Sequence, residues 1–368
     1  MSIPSKLRSV LETFIEDLEA RETISGIGLF GSWSRGMAAS SSDIDLLIVE
    51  GRDFDYEYVE RVEINNYLID LNYIPKHWIS HRVPPEVDQK LYELQVLFDR
   101  DGSLTRAKDL MSKVYLRPER VEIRTEAHLV EADTFLSRAR LALNRGDYRS
   151  AKANSIKGFW ALMKILIEIG KKPVLNSFFI RNLESASKTL DMYTLYETYI
   201  NLAGFAGRSK TDVKIMLDSL LSTWRGMIDF ITASLPLPRN IHPKIGYKLS
   251  YYGREIFLRG LVARVSDLID ESTPIESSNY MFHTLADALE SYTYLASTLE
   301  GVRFDYATIL KYLSESKKSP IKVYEGAINV LGVKEVSSQE AEKALKSVTD
   351  IALNIRQRRK DLIAHFIK

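Results

Sequence analysis

The sequence predicts an α+β N-terminal domain, a mixed sheet flanked by helices, followed by all-α helical bundle domains. Three observations carry that reading. Apolar runs of strand character crowd the first third of the chain. Strand signals stop after Pro118, and beyond it apolar residues recur at helical spacing. The 368 residues are enough for two or three domains, each with its own core.

The elements follow in order. Leu7, Val10, Leu11, Phe14, Ile15 and Leu18 recur at helical spacing and predict an amphipathic helix over residues 5–21. "GIGLF" and "DIDLLIV" read as buried strands. "YVERVEI" and "YLIDLNYI" flank Asn65-Asn66, the signature of a hairpin whose turn needs positive φ. A short strand, "LQVLF", then meets the turn "DRDG". Residues 119–145 and 147–170 are long helical patterns separated by Gly146-Asp147, and more helices follow to Ser234, the makings of a four-helix bundle. "LPLPRNIHP", with three prolines in nine residues, reads as a linker. The last segment is helical and ends in a long helix that Ser337 or Ser338 can cap, with Gln339 and Glu340 in its first turn. The expected domains are 1–117, 118–240 and 241–368, without repeats or low-complexity tracts.

Composition excludes several classes. Hydrophobic residues make up 45% and charged residues 27%, ordinary values for a soluble globular protein. Fifty basic residues against forty-nine acidic leave a net charge of +1, so only a local patch could recognise nucleic acid. The absence of cysteine rules out disulfides, a thiolate nucleophile and cysteine-ligated zinc. Acids interrupt every apolar run of the N-terminus, which does not read as a signal peptide, and no run approaches the roughly 20 residues of a membrane helix. A soluble, cytoplasmic protein with no membrane partner is expected.

The stretch "LFGSWSRGMAASSSDIDLLIV", residues 29–49, places two carboxylates in a strand otherwise built for a core. Residues i and i+2 of a strand face one side, so Asp43 and Asp45 point together while Ile44 and Leu46 pack elsewhere. Two carboxylates so close raise each other's pKa unless a cation lies between them. Magnesium answers this need, because it prefers carboxylate oxygens and shares its shell with substrate phosphates. Upstream, Gly31 allows close backbone approach, the turn after it opens a helix whose N–H groups attract phosphate, and Ser32 adds a hydroxyl. A phosphate cradle beside a metal platform is the equipment of phosphoryl or nucleotidyl transfer.

"GSWSRG" followed by "SSDIDLLI" resembles the signature of the DNA polymerase beta nucleotidyltransferase superfamily, in particular its small prokaryotic branch of minimal and kanamycin nucleotidyltransferases. The likeness covers about the first 115 residues and includes "VLFDRDG". It implies a nucleotidyltransferase domain over 1–117 that moves a nucleoside monophosphate from a triphosphate to a hydroxyl and releases pyrophosphate. Gly31 and Ser32 match the phosphate-binding pair, Asp43 and Asp45 the metal pair, and Asp70 in "YLIDLNYI" the third, catalytic and metal-binding carboxylate. Arg35 falls where relatives often carry Arg and steadies the loop or touches phosphate; Ser34 stands where many have Ala. The resemblance implies two Mg2+ ions bridged by Asp43 and Asp45, with Mn2+ as a substitute, and a nucleoside triphosphate as donor, ATP first. The acceptor, whether small molecule, protein or RNA, is left open, as is a homo-oligomer.

His77 and His81 in "HWISH" stand four apart and are read as a helix-surface pair. "RQRRKDLIAHFIK" puts four cations within five residues, Arg356, Arg358, Arg359 and Lys360. Arg359 and His365, with five residues between them, resemble the Arg-x(4–6)-His motif of HEPN domains, but Lys360 stands where active ribonucleases of that family carry a small polar residue. Arg358 and His365 share a helix face, offset from the apolar stripe Ile351, Ile355, Leu362 and Phe366, with Arg359 about 100° round from Arg358. The tail is therefore expected to form a basic docking surface and not to cleave RNA. Tyrosines, nineteen in all, cluster in "YKLSYYGREIF", where packing is the default role. Two readings compete with the transferase: an idle nucleotide-binding regulatory module, and a fused toxin–antitoxin-like protein acting on RNA or protein.

Overall fold

The structure, a computed structural model, describes residues 5–39, 42–271 and 274–367. The side chains of Leu7 and Val10 in the first apolar stripe lie outside the described residues. The first part of the chain runs α1 (Ser5–Glu19), β1 (Ile24–Phe30), α2 (Gly31–Ser34), β2 (Ile44–Glu50), β3 (Tyr58–Ile64), β4 (Tyr67–Pro75), α3 (Lys76–Ser80), α4 (Asp88–Tyr92), β5 (Gln95–Asp99) and α5 (Ser103–Val114). Five helices follow: α6 (Pro118–Asn144), α7 (Tyr148–Ile169), α8 (Phe179–Thr189), α9 (Tyr193–Leu202) and α10 (Lys210–Ala233). The chain ends with α11 (Pro243–Tyr252), α12 (Glu255–Glu271), α13 (Pro274–Glu300), α14 (Ile309–Glu315), α15 (Ile321–Val330) and α16 (Ser338–Phe366).

Internal packing divides the chain into two units. One contains Met1–Tyr115 and His242–Arg264, the other Leu116–Ile241 and Val265–Lys368. The segments 118–240 and 241–368 read from the sequence are thus partitioned differently, because α11 packs along β3, where Tyr247 stacks on Tyr58 at 3.9 Å.

In the first unit the strands order β3-β4-β2-β1-β5, a mixed α+β sheet in which β2 and β4 are parallel and the other neighbours antiparallel. The β3–β4 hairpin turns on Asn65 and Asn66 at φ 50° and 65°, the left-handed pair that a two-residue primed turn requires. Alternation sorts the strand residues onto two faces. Ile44, Leu46 and Ile48 join Leu11 and Leu18 of α1 in one core; Leu47 and Val49 join Ile79, Leu91, Leu104 and Met111 in the other. Asp43, Asp45 and Asp70 belong to the second set by parity, at the edge of a core that cannot solvate them.

In the second unit α6 and α7 pack along each other and against α16. Gly146 takes φ 72° between α6 and α7, and Asp147 caps α7 by accepting from Ser150 N at 3.0 Å. Ser337 and Glu340 form a reciprocal capping box that starts α16. Buried charges here are paired: Arg124 with Glu168 at 2.9 Å, and Lys157 with Glu290 at 2.9 Å. No helix among the described residues is long and apolar enough to cross a membrane.

Glu276, in the first turn of α13, is buried and accepts from the backbone N–H groups of Ile180 and Arg181 at the start of α8, each at 3.0 Å. Burial outweighs these bonds and pushes its carboxyl up to about 7. A carboxyl raised on folding binds its proton more tightly in the native state. Its stabilising contribution is full below the unfolded value near 4.5 and is lost as pH rises through about 7. Thermal melts from pH 4.5 to 8 should show stability falling across this window by about 3 kcal/mol from this group. Glu276→Gln should flatten that slope, and an unchanged slope would remove Glu276 as its source.

Candidate active site

The site grows from the end of β1. Phe30 lies opposite Asp45 in the β1–β2 register, and the chain then turns at Gly31, whose φ is 77°. A Cβ there would overlap Asp45 Oδ2 and come within 3.0 Å of Asp45 Cγ, so only glycine lets the turn pass the carboxylate. The helix expected after it is a single turn, α2, too short to act as a dipole. The Gly31 N–H donates to Glu93 Oε1 at 3.0 Å, and Arg35 Nη1 donates to Glu93 Oε2 at 2.6 Å. Ser34 Oγ donates to the Glu93 carbonyl. A carboxylate thus occupies the anion position that Gly31 and Arg35 define. Ser32 Oγ, by contrast, is a buried hydroxyl with no hydrogen-bond partner among the described residues.

The acidic half of the site spans three strands. Asp45 on β2 lies beside Asp70 on β4 in parallel register, and Asp70 lies opposite Arg61 on β3. The Arg61 guanidinium grips Asp70 with both ends of its fork, Nε to Oδ1 and Nη2 to Oδ2, each at 2.6 Å. The same Nη2 donates to Asp43 Oδ2 at 2.6 Å. Arg264 lies 3.5 Å from Asp43 Oδ1 and donates to Ser42 Oγ at 3.3 Å. The Tyr251 hydroxyl donates to Asp70 Oδ2 at 2.8 Å.

These contacts set the charges. Burial, then Asp43, then Asp70 push the Asp45 carboxyl well above the usual carboxylate range, and Lys90 and Arg61 only partly oppose them. Burial also raises Asp70, with Arg61 and Tyr251 pulling the other way. Burial alone would lower Arg61, yet its ion pairs with Asp70 and Asp43 reverse that and hold it firmly charged. Burial and the Asp70 charge raise the Tyr251 phenol, keeping it a neutral donor.

An all-oxygen donor set suits a hard divalent cation such as Mg2+, which is commonly held by one or two carboxylates plus substrate phosphates. Asp43 and Asp45 fit that role. Asp70 is engaged by Arg61, and among the described residues no group of three or more acidic or histidine side chains is set to hold a metal. His77 and His81 remain exposed on the one-turn α3 and after it, with His77 3.7 Å from Asp55 Oδ1.

Beside the carboxylates, along the outer edge of β3, lies a cavity of about 690 Å³ with Tyr56, Tyr58, Trp78, Tyr247, Lys248 and Tyr251 in its wall. Tyr251 belongs to both places. The tyrosine cluster of α11, for which the sequence offered only packing, therefore reaches the acidic site.

The basic tail is not a free surface. Arg356 pairs with Asp133 at 2.6 Å, Arg359 with Glu126, and Lys360 with Glu122 at 3.0 Å, three acids spaced along α6. Arg359 is buried and also donates to Thr125 Oγ1 at 2.8 Å, whereas His365 is exposed. Partners on α6, invisible in the local sequence, take up three of the four cations and bury Arg359 apart from His365, while Arg358 and His365 remain exposed.

Sequence reasoning missed Arg61, Glu93, Tyr251 and Arg264. Only Arg61 had a local signal: counting outward from Asn65-Asn66 sets it opposite Asp70.

Comparison with known proteins bears on the first unit. No curated protein matches the chain. Among solved structures, a nucleotidyltransferase-like protein from Exiguobacterium sibiricum 255-15 is similar at 14% identity and a TM-score of 0.33, over 76% of this chain and 80% of that one. Residues 11–97, the span from α1 to β5 that carries Gly31, Asp43, Asp45 and Asp70, match the model of the nucleotidyltransferase domain family.

Proposed function

We propose that the first unit is a nucleotidyltransferase that takes a nucleoside triphosphate, ATP first, with Mg2+ as cofactor. The observation that carries this reading is the contact of a left-handed Gly31 with the Asp45 carboxylate, a cradle for phosphate built against a platform for metal. Asp43 and Asp45 would hold the ion. When bound, it supplies positive charge to the triphosphate and to the charge that develops in transfer.

The chain's own residues do the remaining work. Ser32 Oγ, without a partner, and the Gly31 N–H would take phosphate oxygens once Glu93 gives way, and Arg35, released from Glu93, adds a charge-assisted donor. The acceptor's hydroxyl oxygen forms a bond to the α-phosphorus. The bond from that phosphorus to the bridging oxygen breaks, and its electron pair leaves with pyrophosphate. The hydroxyl proton passes to Asp70, whose Oδ1 accepts from Arg61 Nε and keeps a second lone pair for it.

Calorimetry should find triphosphate binding that requires a divalent ion and is lost in Asp43→Ala/Asp45→Ala. Binding indifferent to both EDTA and the double substitution would refute the reading. Asp70→Asn should leave triphosphate affinity nearly intact while slowing transfer by roughly 10²- to 10⁴-fold; single-turnover assays with labelled ATP and cell extract separate the two effects. Gly31→Ala should lose about 1–2 kcal/mol of stability from its left-handed backbone alone, read by urea unfolding. It should also abolish metal-dependent binding, because its methyl displaces the Asp45 carboxylate.

A further inference from the structure

We infer that Arg61 is a fixed positive charge standing where a second metal ion would otherwise be needed, so that the site takes one divalent cation per bound triphosphate. The inference rests on the reading of Asp43 and Asp45 as the metal platform.

A second ion shared between Asp43 and Asp70 needs oxygens of both turned to a common point, and that point is filled by Arg61 Nη2, 2.6 Å from Asp43 Oδ2 and from Asp70 Oδ2. Asp70 has little left to offer. Its Oδ1 accepts from Arg61 Nε at 2.6 Å, and its Oδ2 accepts also from Tyr251 at 2.8 Å.

Arg61 is built in, not resting there. Its backbone is fixed opposite Asp70 by the hairpin register, and its carbonyl accepts from Arg254 Nη1 at 3.0 Å. The guanidinium lies 5.4 Å from the ring centroid of Tyr251 and 5.2 Å from that of Phe257. Gly260 leaves room for it, since a Cβ there would come within 2.6 Å of Arg61 Nη1. Only 5% of the residue is exposed. A guanidinium does not discharge at any ordinary pH, so moving it off both carboxylates would strand charges that are costly to bury alone.

Charge balance agrees. Three carboxylates against the guanidinium groups of Arg61 and Arg264 leave one negative charge, before the Lys90 charge that also acts on Asp45 is counted. One divalent ion more than cancels the charge that the protein itself contributes.

The test counts metal. Protein carrying one equivalent of a non-hydrolysable ATP analogue, with free nucleotide removed, is titrated with Mn2+ and the bound ion followed by electron paramagnetic resonance. The expected result is one Mn2+ per chain with an uncoupled six-line spectrum. Arg61→Gln should admit a second ion and broaden the spectrum through coupling of ions about 4 Å apart, while Arg61→Lys, which keeps the charge, should still hold one. Two ions in the wild type would overturn this inference and leave the proposed function standing. No bound ion would overturn both. A folded Arg61→Gln protein that still holds a single ion would show that Arg61 excludes nothing. The wild-type count and line shape decide the matter even where a variant fails to fold.

Discussion

Three acidic side chains meet at one end of a mixed sheet, and the repulsion among them is the constraint that the rest of the first unit answers. Asp43 immediately precedes β2, Asp45 lies within it, and Asp70 is brought beside Asp45 by the parallel β2–β4 pairing. Such a cluster at the margin of an apolar core would destabilise the fold unless cations shared the space. Arg61 supplies the nearest one from β3, Arg264 a second from α12, and Tyr251 from α11 adds a hydrogen bond. The chain that returns at His242–Arg264 thus joins the sheet for an electrostatic reason as well as for the aromatic packing of Tyr247 on Tyr58.

The phosphate side of the site shows the same logic with the sign reversed. Gly31 and Arg35 present donors that would be costly to leave unsatisfied, and the Glu93 carboxylate receives both. One end of the site is closed by a cation on carboxylates and the other by a carboxylate on donors. The two closures differ in permanence. Arg61 is buried and held from several directions, whereas Glu93 is reached from a short turn after α4 and is held by the very groups a phosphate would use.

Much of this was legible in the sequence, and the reason is locality. The strands around Gly31 and Asp43, the Asn65-Asn66 turn and the capping box at Ser337 and Glu340 are written in neighbouring residues, so period and turn chemistry suffice to find them. The register that sets Arg61 against Asp70 was equally local and needed only a count from the turn. Tyr251 and Arg264 are another matter. They reach Asp70 and Asp43 from about two hundred residues away, and no spacing rule connects them. The helix after Gly31 failed for a physical reason too: a glycine forced to φ 77° by Asp45 ends one strand but supports only a single helical turn before Gly36 turns left-handed again.

The basic run near the end of the chain carries the same lesson about charge. Four cations in five residues look like a surface waiting for a polyanion, yet their density says nothing about what lies opposite. Glu122, Glu126 and Asp133 recur on α6 at helical intervals, and Arg356, Arg359 and Lys360 meet them along α16, with Arg359 buried between Thr125 and Glu126. Those pairs fix the register of two long helices, as interhelical charge pairs do elsewhere. The discriminating quantity in both units is thus the balance left after near neighbours are counted. On α16 three of the four cations are paired with acids of α6, and Arg358 is left exposed. At Asp45 burial and the neighbouring Asp43 and Asp70 outweigh Lys90 and Arg61, so its carboxyl is held above the ordinary carboxylate range, unlike the paired charges of α16.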